Sequence, residues 1–137
     1  MVRLKLDQDS LGLSSLMERI TGTRVKDCFQ DEETIYFVVS PGEMGKAIGK
    51  GGSTIRRVQQ EFHKKIKVVE FNADPAVFIQ NFIYPLSVEE IKAEDSFFVI
   101  KDPSKKTKSL LIGRDARNLK QLNRAVQRFF NKEVKVV

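Results

Sequence analysis

The chain has 137 residues, 41% of them hydrophobic, which is enough for one ordinary domain or two small ones and too apolar for a disordered segment. No apolar run approaches the roughly 18 residues of a membrane span, the opening "MVRLKLDQDS" lacks the apolar core of a signal peptide, and one cysteine, Cys28, cannot form an internal disulfide, so the cytosol (a cytoplasmic location) is expected. The net charge is +6, with a pI near 9.5, and basic and acidic blocks alternate along the chain, a segregation that favours a polyanionic partner, with nucleic acid first; no membrane and no small-molecule substrate are expected.

Taken in chain order, Leu13, Leu16, Met17 and Ile20 are spaced for one face of a helix, and Gly22 is placed to stop it. Residues 23–29 and 34–40 read as strands, with "DEE" at 31–33 as the turn between them. Pro41-Gly42 opens a short helix ending near Ile48, and a second helix is expected from Ser53 to Phe62 after a glycine-rich loop. "KIKVVEF" at 65–71 closes the first half as a strand. Asp74-Pro75 then has the form of a helix start, Asp as N-cap and Pro at the first helical position, and Pro85 marks the end of that helix. Strands at 86–92 and 96–101, a short helix near 105–112, a long one at 116–130 and a final strand at 132–137 complete the reading.

The order of elements therefore occurs twice, and the residues repeat with it. "IGKGGSTI" at 48–55 stands 64 positions before "IGRDARNL" at 112–119, and "FHKKIKVV" at 62–69 stands 68 before "FNKEVKVV" at 130–137. The growth of the offset by four is one helical turn, a change that leaves an apolar face in place. The expected fold class is α+β, a duplicated helix–strand–strand–helix–helix–strand unit, with the boundary near Asn72–Asp74.

The loop at the centre of the first unit carries the chemistry. Its glycines permit positive φ and close approach of another backbone, and it leads into a helix N-terminus where amides and the helix dipole favour an anion. Gly45 and Gly49 are one residue too close for a nucleoside-triphosphate loop, and Lys50 is followed by Gly51 where Ser or Thr is needed; Thr54 stands where a dinucleotide loop needs its third glycine. What fits is Ile48-Gly49-Lys50-Gly51-Gly52 followed by Ile55, the GxxG loop that clamps the backbone of about four nucleotides in KH domains. Charge is blocked in register with it: residues 41–67 carry seven Lys/Arg against two Asp/Glu and 101–137 eleven against three, whereas 1–40 carry five against seven and 68–100 one against six.

In these features the chain resembles the tandem type II KH region of the NusA family of transcription termination/antitermination factors. The joining stretch "VEFNADPAVFIQNFIYP" at 69–85 is also similar to that family's strand, Asp-Pro, Phe-Ile-x-Asn and final Pro. The resemblance implies two tandem KH domains, residues 1–72 and 73–137, each with a three-stranded sheet packed by helices. It implies a non-enzymatic protein binding single-stranded RNA, the nascent transcript, with RNA polymerase as a further candidate partner. Bacterial members add a polymerase-contacting N-terminal domain and an OB-fold domain; the length given fits the short, archaeal form, which leaves direct polymerase contact open. A KH protein of ribosomal or other structured RNA, and a protein-interaction module of the transcription machinery, are the alternatives.

The expected RNA-binding residues are Lys46, Ile48, Gly49, Lys50, Gly51, Gly52, Arg56 and Arg57 in the first half, and Gly113, Arg114 and Arg117 in the second. Lys64, Lys65 and Lys67 either meet RNA or solubilise an edge. In the second loop Asp115 replaces a glycine; it either caps the long helix or marks a loop turned to protein contact. On that helix, Arg117, Lys120, Arg124 and Arg128 fall within about 80° of one another, opposite Leu119, Leu122, Val126, Phe129 and Phe130. The stripe suits either an RNA backbone or a solvated face. His63 near a helix end and Cys28 in a strand give no catalytic or zinc constellation, so no cofactor and no metal are expected. Tyr36, Phe37, Phe71, Phe97 and Phe98 read as core.

Overall fold

The computed structural model describes the backbone of residues 2–137 and the side chains of 12–137. The chain divides into two compact units, Met1–Phe71 and Asn72–Val137. The first holds α1 (Val2–Thr21), β1 (Val25–Gln30), β2 (Thr34–Val39), α2 (Met44–Ile48), α3 (Ser53–Phe62) and β3 (Lys65–Glu70). The second holds α4 (Pro75–Ile83), β4 (Glu90–Ala93), β5 (Phe97–Lys101), α5 (Lys105–Ile112), α6 (Arg117–Phe130) and β6 (Glu133–Val136). Both sheets have the same pairing, β1-β2-β3 and β4-β5-β6, antiparallel between the first two strands and parallel between the last two. A parallel pair needs a long crossover, and in each unit that crossover is the helix–loop–helix segment.

In the first unit the alternation of β2 sends Ile35, Phe37 and Val39 to one face, where they pack with Cys28 and Val68 against Met17, Ala47 and Val58 of the three helices. Leu13, Ile20, Ile48, Ile55 and Phe62 close around this cluster. Each fully buried side chain of this size stabilises the unit by about 1.5–3 kcal/mol. Tyr36 and Phe29 stack on the opposite face of the sheet with ring centroids 5.1 Å apart, and Cys28 is a buried thiol outside any disulfide. In the second unit Phe78 of α4 meets Phe82, Phe129 and Phe130, and Phe130 and Phe98 stand nearly perpendicular in a T-shaped contact. The fourteen residues of α6, against ten in α3, carry the helix one turn further and place those phenylalanines on α4.

Local chemistry explains most boundaries. Asp74 accepts a hydrogen bond from the Ala76 N–H at 3.0 Å with Pro75 as the first helical residue, and Ser104 caps α5 by accepting from the Thr107 N–H at 3.2 Å. Three expectations need correction. The first strand of the second unit begins at Glu90 rather than 86, because Asp102 takes the Glu89 N–H and the Gln80 amide takes the Leu86 carbonyl, groups a ladder would have used. The short helix begins at Met44 rather than Pro41, since Gly42 lies at φ 84° and Glu43 N–H closes a turn onto the Ser40 carbonyl. Phe71 and Phe97 are only half-buried and carry lysines on their faces, Lys26 at 4.6 Å and Lys135 at 3.6 Å from the centroids.

Candidate nucleic-acid interface

The loop between α2 and α3 is a tight double turn. Gly49 ends α2 at φ 76°, ψ 167°, donating its N–H to the Gly45 carbonyl at 2.8 Å. Lys50–Gly52 form one 3-10 turn in which Gly51 (φ 62°) and Gly52 (φ 77°) are left-handed, closed by Gly52 N–H to the Gly49 carbonyl at 3.1 Å. The leading amides of such a turn have no acceptor inside it, and those of Lys50 and Gly51 head this one.

Only a glycine can stand at position 49. A methyl group there would lie 2.7 Å from the Thr54 Cβ and 2.8 Å from the Thr54 N, inside any real contact distance. At Gly51 nothing lies within 4 Å, so that glycine answers to backbone conformation and to open space above the loop.

The expected site residues fall into two groups. Lys50, Gly51 and Arg57 are exposed on or just after the loop. Ile48 and Ile55 pack into the core and hold the two helices, so they position the loop. Arg56 reaches back to the Gly51 carbonyl, Nη1 to O 2.9 Å, and ties the turn to α3. Lys46 lies 3.6 Å from the Glu43 carboxylate, a surface pair that trims its charge. Lys64 donates to Gln30 Oε1 and the Asp31 carbonyl, both at 2.9 Å, and so joins β3 to the β1–β2 turn. Burial holds the Lys67 ammonium below its usual pKa; Lys65 is exposed.

The second unit repeats the loop almost angle for angle. Gly113 lies at φ 75°, ψ 173°, Asp115 at φ 55°, ψ 31° and Ala116 at φ 59°, ψ 24°, with Ala116 N–H on the Gly113 carbonyl at 3.1 Å. A methyl group on Gly113 would meet Asn118 Cγ at 2.8 Å and its N at 3.0 Å. Asp115 is therefore not the cap of the long helix: Ala116 occupies that position, no side chain caps it, and α6 starts at Arg117. Asp115 takes the place of Gly51 because the loop keeps its shape. Arg114 is exposed and Arg117 half-exposed.

Sequence reasoning missed Thr54 and Asn118, the residues that close against the two invariantly placed glycines of the repeat. Each stands five positions after its glycine, which was the available signal. Asn118 also donates its amide to the Leu110 carbonyl at 2.9 Å, bracing α6 against α5.

The KH domain model matches residues 14–92, from within α1 through most of β4. The chain belongs to the KH-domain family. Named relatives and a solved structure extend the comparison. A Methanococcus vannielii protein named "Probable transcription termination protein NusA" is 39% identical over 90 residues, 66% of this chain and 52% of its own. A Halococcus morrhuae protein of the same name is 29% identical over 133 residues, 95% of each chain. The chain thus spans about half the length of the Methanococcus relative and nearly all of the Halococcus one. The crystal structure of APE1850 superposes with a TM-score of 0.75 at 28% identity, covering 95% of this KH protein and 99% of that chain. Among the described residues no helix is long and apolar enough to cross a membrane, and no cluster of His, Cys, Asp and Glu suits a metal ion.

Proposed function

We propose that this KH protein binds single-stranded RNA, as a non-enzymatic factor acting on nascent transcripts in termination or antitermination, and that its two units are tandem type II KH domains. The observation that carries the reading is the Gly49–Gly52 loop. Glycine stands at each of its three positive-φ positions, its leading amides and exposed Lys50 suit a phosphate, and it opens onto α3. Phosphates lie on Gly49–Gly52 and Lys50 with Arg57 beside them, and bases lie in the groove between the loop and β3. The names of the archaeal relatives support a role in transcription termination.

Gly113, Arg114 and Arg117 form the equivalent site of the second unit. A carboxylate in that loop favours a second reading, in which the unit meets a protein of the transcription machinery. RNA binding is tested by fluorescence anisotropy with an unpaired RNA and the same sequence closed into a perfect hairpin. Preference for the unpaired strand is expected; equal affinity for both removes the single-strand reading.

A further inference from the structure

From residue 103 to 131 the chain carries eight lysines and arginines and a single acid, Asp115. Four of those cations lie on α6, which contains no Asp or Glu at all. Leu122, Ala125 and Val126 are buried on the inward face, and the exposed residues are Asn118, Lys120, Arg124, Gln127 and Arg128. The stripe starts at Arg117, the first residue after the second loop, and continues through Lys120, Arg124 and Arg128 along about 16 Å of helix.

We propose that this face of α6 is a second track for the RNA phosphodiester backbone, continuing the strand beyond the nucleotides held at the second loop. The inference rests on the RNA-binding reading and adds to it a surface outside the GxxG-type loop. Lys120, Arg124 and Arg128, each four residues from the next, are spaced about 6 Å along the axis, and Arg117 stands about 4.5 Å before Lys120, steps of the order of one nucleotide of an extended strand. The stripe is continuous with the loop, so one polyanion can meet both. The exposed face carries no aromatic or aliphatic side chain, the kind of anchor that a protein partner needs at the centre of its interface. The extra helical turn that the first unit lacks supplies Arg128, and the shorter α3 has an acid, Glu61, near its end.

The test uses the full chain and RNA pools built from A and C alone, which cannot pair, in lengths of 6 and 14 nucleotides. Lys120→Gln/Arg124→Gln/Arg128→Gln is compared with wild type between 50 and 200 mM salt. The variant is expected to bind the short pool as wild type does and to lose affinity for the long one. Three fewer phosphate contacts lower its salt slope by about 2, so that the same drop in salt strengthens wild-type binding by about 20-fold more. Because Arg128 also lies 5.5 Å from the Phe129 ring centre, Lys120→Gln/Arg124→Gln keeps that contact, and its slope falls by about 1.4. A long-pool slope unchanged in both variants overturns the proposal, as does loss of polyglutamate binding with RNA binding intact, which assigns the face to an acidic protein. Failure of wild type to bind either pool would instead remove the RNA reading on which the proposal stands.

Discussion

A single methyl group on the first loop glycine tests whether the loop is shaped as described. Gly49 lies at φ 76°, ψ 167°, a region essentially restricted to glycine, and an added Cβ would sit 2.7–2.8 Å from Thr54 Cβ and N. The backbone conformation alone costs about 1–3 kcal/mol, and the overlap with a main-chain nitrogen cannot be relieved by a rotamer change. Gly49→Ala is therefore expected to destabilise the first unit by about 3 kcal/mol or to force the turn open. Gly51→Ala provides the control: it has the same sign of φ, nothing within 4 Å, and a cost of about 1–2 kcal/mol. The second unit already carries Asp115 and Ala116 at the two left-handed positions while keeping Gly113. Urea unfolding followed by far-ultraviolet circular dichroism reads both variants. A Gly49→Ala protein as stable as Gly51→Ala, with unchanged RNA affinity, would refute the steric argument.

Ala116→Gly relieves a left-handed alanine at φ 59° and is expected to stabilise the second unit by about 1 kcal/mol, seen as a higher urea midpoint at unchanged slope. Asp74→Ala removes the cap on α4 and is expected to cost about 1 kcal/mol in the same assay, leaving RNA affinity as it was. Lys67 has its folded pKa depressed by burial. Between that folded value and the ordinary lysine value of 10.5 the unfolded chain binds more protons, so stability rises with pH across that interval. Lys67→Met is expected to flatten that rise in unfolding midpoints measured on the alkaline side.

The paired order of elements was legible because hydrophobic periodicity and local caps agree at most positions. Asp74-Pro75 shows the agreement most clearly, its side chain and ring each doing what their chemistry dictates. The strand start at Glu90 was not legible, since residues 86–89 alternate as a strand would but have backbone groups claimed by the side chains of Gln80, in the preceding helix, and Asp102, beyond the next strand. The first loop could be read from its glycines. The second was legible only as the repeat of the first, because Asp115 and Ala116 do not announce positive φ; the close approach that fixes the turn comes from Gly113 and Asn118. Charge counting treated Lys46, Arg56 and Lys64 as equivalent to Lys50, whereas each of the three has a partner within the protein. Lys50 is the exposed cation at the head of the turn.

The central claim is that the Gly49–Gly52 loop holds RNA phosphates, and salt-dependent binding of a short unpaired RNA tests it most directly. Wild type is compared with Lys50→Asp/Gly51→Asp, whose left-handed aspartate has a folded precedent in Asp115, and with Arg114→Asp. The account expects a wild-type slope of log affinity on log salt of about −2 to −3, for three or four phosphate contacts. The double variant should stay folded and lose binding, and loss with Arg114→Asp as well would extend the contact to the second unit. A folded double variant with wild-type affinity and slope would contradict the account.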